Sequence, residues 1–243
     1  MSKLGYCSRS QAAELILAGR VKLNGAVRRD PETPVHLRKD RLEIDGKPAA
    51  RSEAIYLMLN KPRGVVTTAS DEKGRETVYA YLPEGVPWVA PVGRLDKASE
   101  GLLLLTNDSE WAARITAPET HLEKTYHVQI GVVADEKLLE ALRKGVHPSD
   151  GELLCAKRVS ILRQGERNSW IEIVLDEGKN RQIRRMLEHF HVEVFRLVRV
   201  AIGPLGLGDL AKGTTRSLEK KEKQALDRAM RGASREPASS LPE

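Results

Sequence analysis

The segment Gly93-Arg94-Leu95-Asp96-Lys97-Ala98-Ser99-Glu100-Gly101 sets one carboxylate between two cations, directly ahead of the apolar run Leu102-Leu103-Leu104-Leu105. The spacing predicts a turn at Asp96 between two extended segments. Arg94 and Lys97 favour the ionised form of a carboxylate placed there. A loop carboxylate leading into a buried strand suits a nucleophile or a general base. By charge and turn context alone the signal is weak, because an aspartate in a charged turn is usually structural. Tyr126 lies in an alternating stretch and reads as a half-buried packing residue. Arg181, Arg184 and Arg185 fall in a basic stretch whose helical spacing puts Arg181 on one face with either Arg184 or Arg185. Such a face is usually solvated or binds phosphate. Near the N-terminus, Ser8 and Arg9 stand where a helix should begin and Arg20 just past its end. Amides, a hydroxyl and charge at a helix start can hold phosphate oxygens; in the plainer reading Ser8 caps the helix and both arginines are solvated.

The elements that would position these residues divide the chain into three regions. In residues 1–50, Ser10 to Ala18 has helical spacing that Gly19 can stop. Val21-Lys22-Leu23 reads as a strand entering the Asn24-Gly25 turn, and Arg41 to Gly46 as a second alternating strand. Pro48 to Ser52 has linker composition. In residues 55–218, strands are expected at Ile55 to Asn60, Leu102 to Thr106, Tyr126 to Ile130, Trp170 to Leu175 and Val192 to Val200. Trp88 to Val92 reads as short and extended. Helices are expected at Glu110 to Ile115, ended by Pro118, at Asp135 to Lys144, and at Asn180 to Phe190. Residues 219–243 are mixed in charge and then rich in Gly, Ala, Ser and Pro. They read as a C-terminal tail that can begin as a helix and ends disordered. Helices interspersed with mostly alternating strands indicate an α+β fold: a small N-terminal domain plus a larger domain on a mixed, antiparallel-rich sheet with flanking helices.

Bulk composition narrows the partners. The chain has 243 residues with a formal net charge of +6, and aromatics are only 4%, so the core must be chiefly aliphatic. Residues 1–50 carry 10 Lys and Arg against 6 Asp and Glu, so much of the positive excess sits there. An anionic partner fits, nucleic acid ahead of a membrane surface. No stretch has the apolar length of a membrane span, and no apolar signal-peptide core opens the chain. Cys7 and Cys155 are far apart and offer no metal-ligand set; they suit a reduced, cytoplasmic setting. There is no phosphate loop or dinucleotide fingerprint, so neither a metal nor a cofactor is expected.

The stretch Ser8-Arg9 through Ala12, Ile16, Gly19, Val21 and Leu23-Asn24-Gly25 resembles the small RNA-binding domain typified by ribosomal protein S-four, over about residues 1–48. That domain ordinarily opens with a helix of the type Arg-Leu-Asp-Lys-Val-Leu. Met1-Ser2-Lys3-Leu4-Gly5 falls inside or just after it, so a truncated first helix is expected. The segment from Gly93 to Asp108 resembles the active-site motif of pseudouridine synthases of the RsuA-type branch, with Asp96 at the invariant aspartate and Ser99 at a Ser/Thr position. Three further stretches are similar to that family's motifs, in its order: Asn60-Lys61-Pro62-Arg63-Gly64, Glu123-Lys124-Thr125-Tyr126, and Gly178-Lys179-Asn180-Arg181-Gln182-Ile183-Arg184-Arg185-Met186. Leu197 to Gly203 and Leu205 to Gly208 resemble its closing strands.

The resemblance implies an isomerase that converts uridine to pseudouridine in ribosomal RNA, acting as a monomer without a cofactor. The style of the third motif points to large-subunit 23S rRNA, with small-subunit 16S rRNA as the alternative. It implies Asp96 as the essential carboxylate, Tyr126 packing against the target base and Arg184 paired with the carboxylate, with Arg185 as the rival. Asp96 would either attack the anomeric carbon or abstract a ribose proton. A stacked target base must be extruded at a cost of a few kcal/mol, which backbone contacts from Arg94, Lys61 and Arg181 would offset; Arg185, Ser8, Arg9 and Arg20 are further expected RNA contacts. Two other classes compete. One is a non-catalytic RNA-binding or assembly protein, which the basic N-terminal region alone would support. The other is a carboxylate-dependent hydrolase, which would need a second acid or a metal cluster near Asp96, with Glu100 and Asp108 the nearest acids in sequence.

Overall fold

A computed structural model describes residues 1–36, 39–49, 52–69, 71–148 and 151–232. After a single 3-10 turn at Ser2–Leu4, the N-terminal part holds α1 (Arg9–Leu17) and a four-stranded sheet of β1 (Val21–Leu23), β2 (Ala26–Arg28), β3 (Leu42–Ile44) and β4 (Lys47–Pro48), in the order β2-β1-β3-β4. The ends of α1 follow from local chemistry. The Ser8 hydroxyl accepts from the Gln11 amide while the Gln11 side chain accepts from the Ser8 amide, a reciprocal cap. The Asn24-Gly25 turn has positive φ at both residues, 53° and 82°, as a two-residue hairpin requires. Asp45-Gly46 does the same, with φ of 51° and 76°. The alternating stretch Arg41 to Gly46 is therefore a three-residue strand closed by a turn. Pro48 pairs in β4, so the expected linker begins later, and Ala50 and Arg51 lie outside the described residues.

The larger part is built on β5 (Tyr56–Lys61), β6 (Ala90–Pro91), β7 (Glu100–Thr106), β8 (Lys124–Ile130), β9 (Arg158–Gln164), β10 (Ser169–Leu175), β11 (Val194–Ile202), β12 (Leu205–Gly206) and β13 (Thr215–Ser217). Its helices are α2 (Ser109–Thr116), α3 (Glu136–Lys144), α4 (Gln182–His189) and α5 (Lys220–Gly232). The sheet runs β13-β5-β7-β11-β8-β10-β9, with β6 paired to β7 and β12 to β11. The β7–β11 pair is parallel and the other pairings are antiparallel, matching the expected mixed sheet.

β7 is buried along its whole length, and its two faces feed different clusters. Leu102 and Leu104 pack with Met58, Trp111, Ile115 and Leu226. Leu103 and Leu105 pack with Leu57, Leu59, Val78 and Val89. Period-two alternation within an unbroken leucine run thus fills both sides of a central strand. Gly101 is required by close approach: a Cβ there would lie 2.3 Å from the Arg199 carbonyl on β11. A third cluster joins α3 and α4 to β8, β10 and β11.

Residues 219–243 begin as a helix, as expected, but that helix is part of the core and not a tail. Lys220–Gly232 form α5, whose Leu226 and Met230 are buried against Trp111 and Ile115. The Trp111 indole N–H donates to Asp227 at 3.0 Å. The mixed-charge composition hid two core residues a turn apart. The disordered end expected for this region lies outside the described residues.

Candidate active site

Asp96 sits on the loop from β6 to β7, and that loop is held almost entirely by its carbonyls. The Leu95 carbonyl accepts from the Thr67 hydroxyl at 2.8 Å. The Asp96 carbonyl accepts from the Ser99 amide at 2.9 Å and from Lys61 Nζ at 3.1 Å. The Lys97 carbonyl accepts from the Gly64 amide at 2.7 Å, the Ala98 carbonyl from Arg184 Nη2 at 3.1 Å, and the Ser99 carbonyl from Lys61 Nζ at 2.8 Å. Leu95 anchors the loop in the core. Five successive carbonyls are thus fixed, chiefly by groups from two other stretches, residues 61–67 and α4. The Asp96 carboxylate, 37% exposed, faces a cavity of about 550 Å³.

Lys61 was expected on the RNA backbone, and the structure overturns that. It is 0% exposed, and its ammonium donates to the carbonyls of Pro62, Asp96 and Ser99. Burial pushes its pKa down to about 8 against the attraction of Asp96 and Glu100. An ammonium has three donors, and all three are spent inside the protein. Lys61 therefore braces the loop and has no face for a phosphate.

The cation nearest the carboxylate also differs from expectation. Arg181 Nη1 lies 3.6 Å from Asp96 Oδ2. Arg184 reaches the neighbouring Ala98 carbonyl instead. Its pKa is lowered, first by burial and then by Arg181, with Asp96 acting the other way. Arg185 turns aside to Glu152, at 3.2 Å. The reason is local. Arg181 adopts the left-handed conformation, φ 49°, just before α4 starts. It is therefore off the helix, and the helical-face argument that tied it to Arg184 or Arg185 does not apply.

Tyr126, half-buried, lines the same cavity, as do Arg94 and Arg181. It packs at the boundary of two core clusters. The other expected RNA contacts lie in the N-terminal part. The Ser8 hydroxyl is used as a helix cap, Arg9 is exposed, and Arg20 is held by both oxygens of Asp45 at 2.8 and 2.6 Å. The two acids proposed as partners of a hydrolase are also engaged. Glu100 is buried under Arg196 and Lys212, at 3.0 and 2.5 Å. Asp108 caps α2 through the Trp111 amide and accepts from the Tyr56 hydroxyl.

Sequence reasoning did not single out Lys124 and Arg199, which line the cavity beside Tyr126. A signal existed for Lys124: two residues before Tyr126 on one strand, it must share that residue's face.

A pinned loop, a carboxylate turned into a cleft, an aromatic floor and a rim of arginines describe a site for a base-bearing nucleotide. Residues 55–189 match the family model described as RNA pseudouridylate synthase, and residues 1–42 match the S4 domain. The chain belongs to the RNA pseudouridylate synthase family, in its RsuA-type branch, and is an isomerase acting on RNA. It is 38% identical over 231 residues to an uncharacterized RNA pseudouridine synthase of Aquifex aeolicus, covering 95% of this chain and 92% of the relative. It is 37% identical over 223 residues to the ribosomal large subunit pseudouridine synthase B of Bacillus subtilis, covering 91% of each. A crystal structure of a pseudouridylate synthase superposes with a TM-score of 0.66 at 29% identity, covering 90% of this chain and 94% of that one.

Proposed function

We propose that the chain isomerises a uridine of ribosomal RNA, in the large subunit, with Asp96 as the essential carboxylate. The observation that carries this is the loop: its carbonyls are pinned from Leu95 to Ser99 while the Asp96 side chain stays open to a cavity floored by Tyr126. The Bacillus subtilis relative, matched along nearly its whole length, supports the large-subunit assignment. In the reaction the C1′–N1 bond breaks and C1′ joins uracil C5. The C5 proton leaves and a proton is taken up at N1, so atoms and electrons balance without a co-reactant. Tyr126 supplies a stacking surface for the extruded base, an interaction worth about 1–3 kcal/mol. Arg181 holds the Asp96 carboxylate towards the sugar, and Arg94 lies at the rim for the backbone.

Loss of the C5 hydrogen gives the test. Large- and small-subunit transcripts carrying tritium at uridine C5 are incubated with the protein. Tritium release from the large-subunit RNA is expected, and Asp96→Asn should abolish it while RNA affinity stays within about threefold. Release from the small-subunit RNA alone would move the substrate there. Equal loss of affinity and turnover in Asp96→Asn would remove Asp96 from the chemistry.

A further inference from the structure

The cavity floor holds two cations that no ion pair among the described residues explains. Lys124 on β8 and Arg199 on β11 both line the cavity. The strand register puts Arg199 opposite Tyr126, and Lys124 two residues before Tyr126, so all three side chains project from one face of the sheet. Arg199 is only 6% exposed. Its Nε donates to the Leu102 carbonyl at 2.7 Å, but its buried Nη2 has no partner among the described residues. Lys124 forms no ion pair among the described residues. Asp176, the carboxylate that attracts it from a distance, is 4.0 Å from Lys157. Burial and the neighbouring Arg199 both lower the Lys124 pKa. Two desolvated like charges side by side are unfavourable unless something anionic arrives between them.

The geometry points to Lys124 and Arg199 as an anion site for the detached uracil, contacting its carbonyl oxygens while the base is free of the sugar. This rests on the proposed isomerisation. When C1′–N1 breaks, the bonding pair stays with the ring and the base becomes a uracil anion, its charge spread over N1, the carbonyl oxygens and C5. The sugar is left bound to Asp96, or as a glycal with its proton on Asp96. The anion then returns through C5 to C1′. Cations fixed beside the base before reaction stabilise that charge without reorganisation. A phosphate on the buried floor fits less well: the base must lie against Tyr126, on the same face as both cations, while the RNA backbone stays at the rim near Arg94.

The experiment compares wild type with Lys124→Met and Arg199→Gln in single turnover at saturating protein, on a large-subunit rRNA transcript. Loss of one such donor typically costs about 10²-fold or more in rate. Lys124→Met should therefore release tritium about 10²-fold more slowly, with RNA affinity within about threefold. On the same transcript made with 5-fluorouridine, followed by loss of that nucleoside from digests, the deficit should shrink to about tenfold. Fluorine at C5 stabilises the anion intrinsically and lessens its need for the cations. Arg199→Gln should behave alike if it folds; Lys124→Met, whose side chain makes no hydrogen bond to the fold among the described residues, decides the matter if it does not. A Lys124→Met rate within threefold of wild type would overturn the site. So would a loss confined to RNA affinity, which is the signature of a phosphate contact, or an equal deficit on both transcripts. A wild type inactive on this transcript would instead remove the large-subunit assignment, so the two failures are distinguishable.

Discussion

Lys61→Met separates a loop brace from a phosphate contact. Going from an ordinary 10.5 to about 8, the site disfavours the charged lysine by about 3 kcal/mol at neutral pH. Methionine removes that penalty and keeps most of the volume. It also takes a donor from three carbonyls. The Asp96 carbonyl keeps the Ser99 amide, but those of Pro62 and Ser99 lose the only donor identified for them, at about 1–3 kcal/mol each. The two effects nearly cancel, so urea unfolding at pH 7 should show a net change of only about 1 kcal/mol. Activity should respond far more. With the loop slack at both ends of Asp96, a displacement of about 1 Å costs about 10²-fold in rate, at unchanged RNA affinity. Stability should also depend on pH differently. Between about pH 8 and 10.5 the unfolded lysine holds a proton that the folded one has released. Wild type should therefore gain stability relative to Lys61→Met as pH rises through that window, and keep the full penalty below pH 8. Turnover within threefold of wild type, or a loss expressed as weaker RNA binding, would refute the reasoning.

Two further outcomes test the corrected assignments. Arg181→Met should slow single turnover by about tenfold or more, because it removes the cation 3.6 Å from Asp96, whereas Arg185→Met, which severs a pair with Glu152, should change the rate by less than threefold. The reverse ranking would restore Arg185 as the partner. Leu226→Ala should lower urea stability by about 3 kcal/mol, as for a fully buried leucine in a core; a loss below 1 kcal/mol would mean that α5 is the appendage its composition suggests.

The strands around the site were legible because their patterns are simple. Leu102-Leu103-Leu104-Leu105 reads as a buried strand from length alone, and Tyr126 was placed by alternation. Asn24-Gly25 declares its hairpin because few residue pairs accept positive φ twice. What the sequence concealed was where charges go. A lysine beside a proline looks like surface; only the folded loop shows three carbonyls converging on its ammonium. Arg181 was misread because one left-handed residue before α4 breaks the helical phase, and nothing in Asn180-Arg181-Gln182 announces it. Arg199 was hidden differently: its burial needs the parallel contact of β11 with Gly101 on β7, a pairing between residues far apart in the chain. Leu226 and Met230 lie in a stretch whose charge outweighs two apolar positions.

The acids near the loop show why Asp96 rather than a neighbour is available for chemistry. Glu100 is four residues on, but its carboxylate is buried and both oxygens serve Arg196 and Lys212. Moving it would break both pairs and open the start of β7. Asp108 holds the first turn of α2. Asp96 has its backbone anchored by other groups, and among these three acids its side chain alone carries no structural duty beyond a 3.6 Å approach to Arg181. An electrostatically useful group must be fixed in place yet not consumed by what fixes it. Pinning the carbonyls of the loop instead of the carboxylate meets both conditions, and it places the burden of positioning on Lys61, Gly64, Thr67 and Arg184. Those four side chains or amides come from two stretches only, residues 61–67 and α4. Any rearrangement that parts these stretches would release Asp96 without touching it.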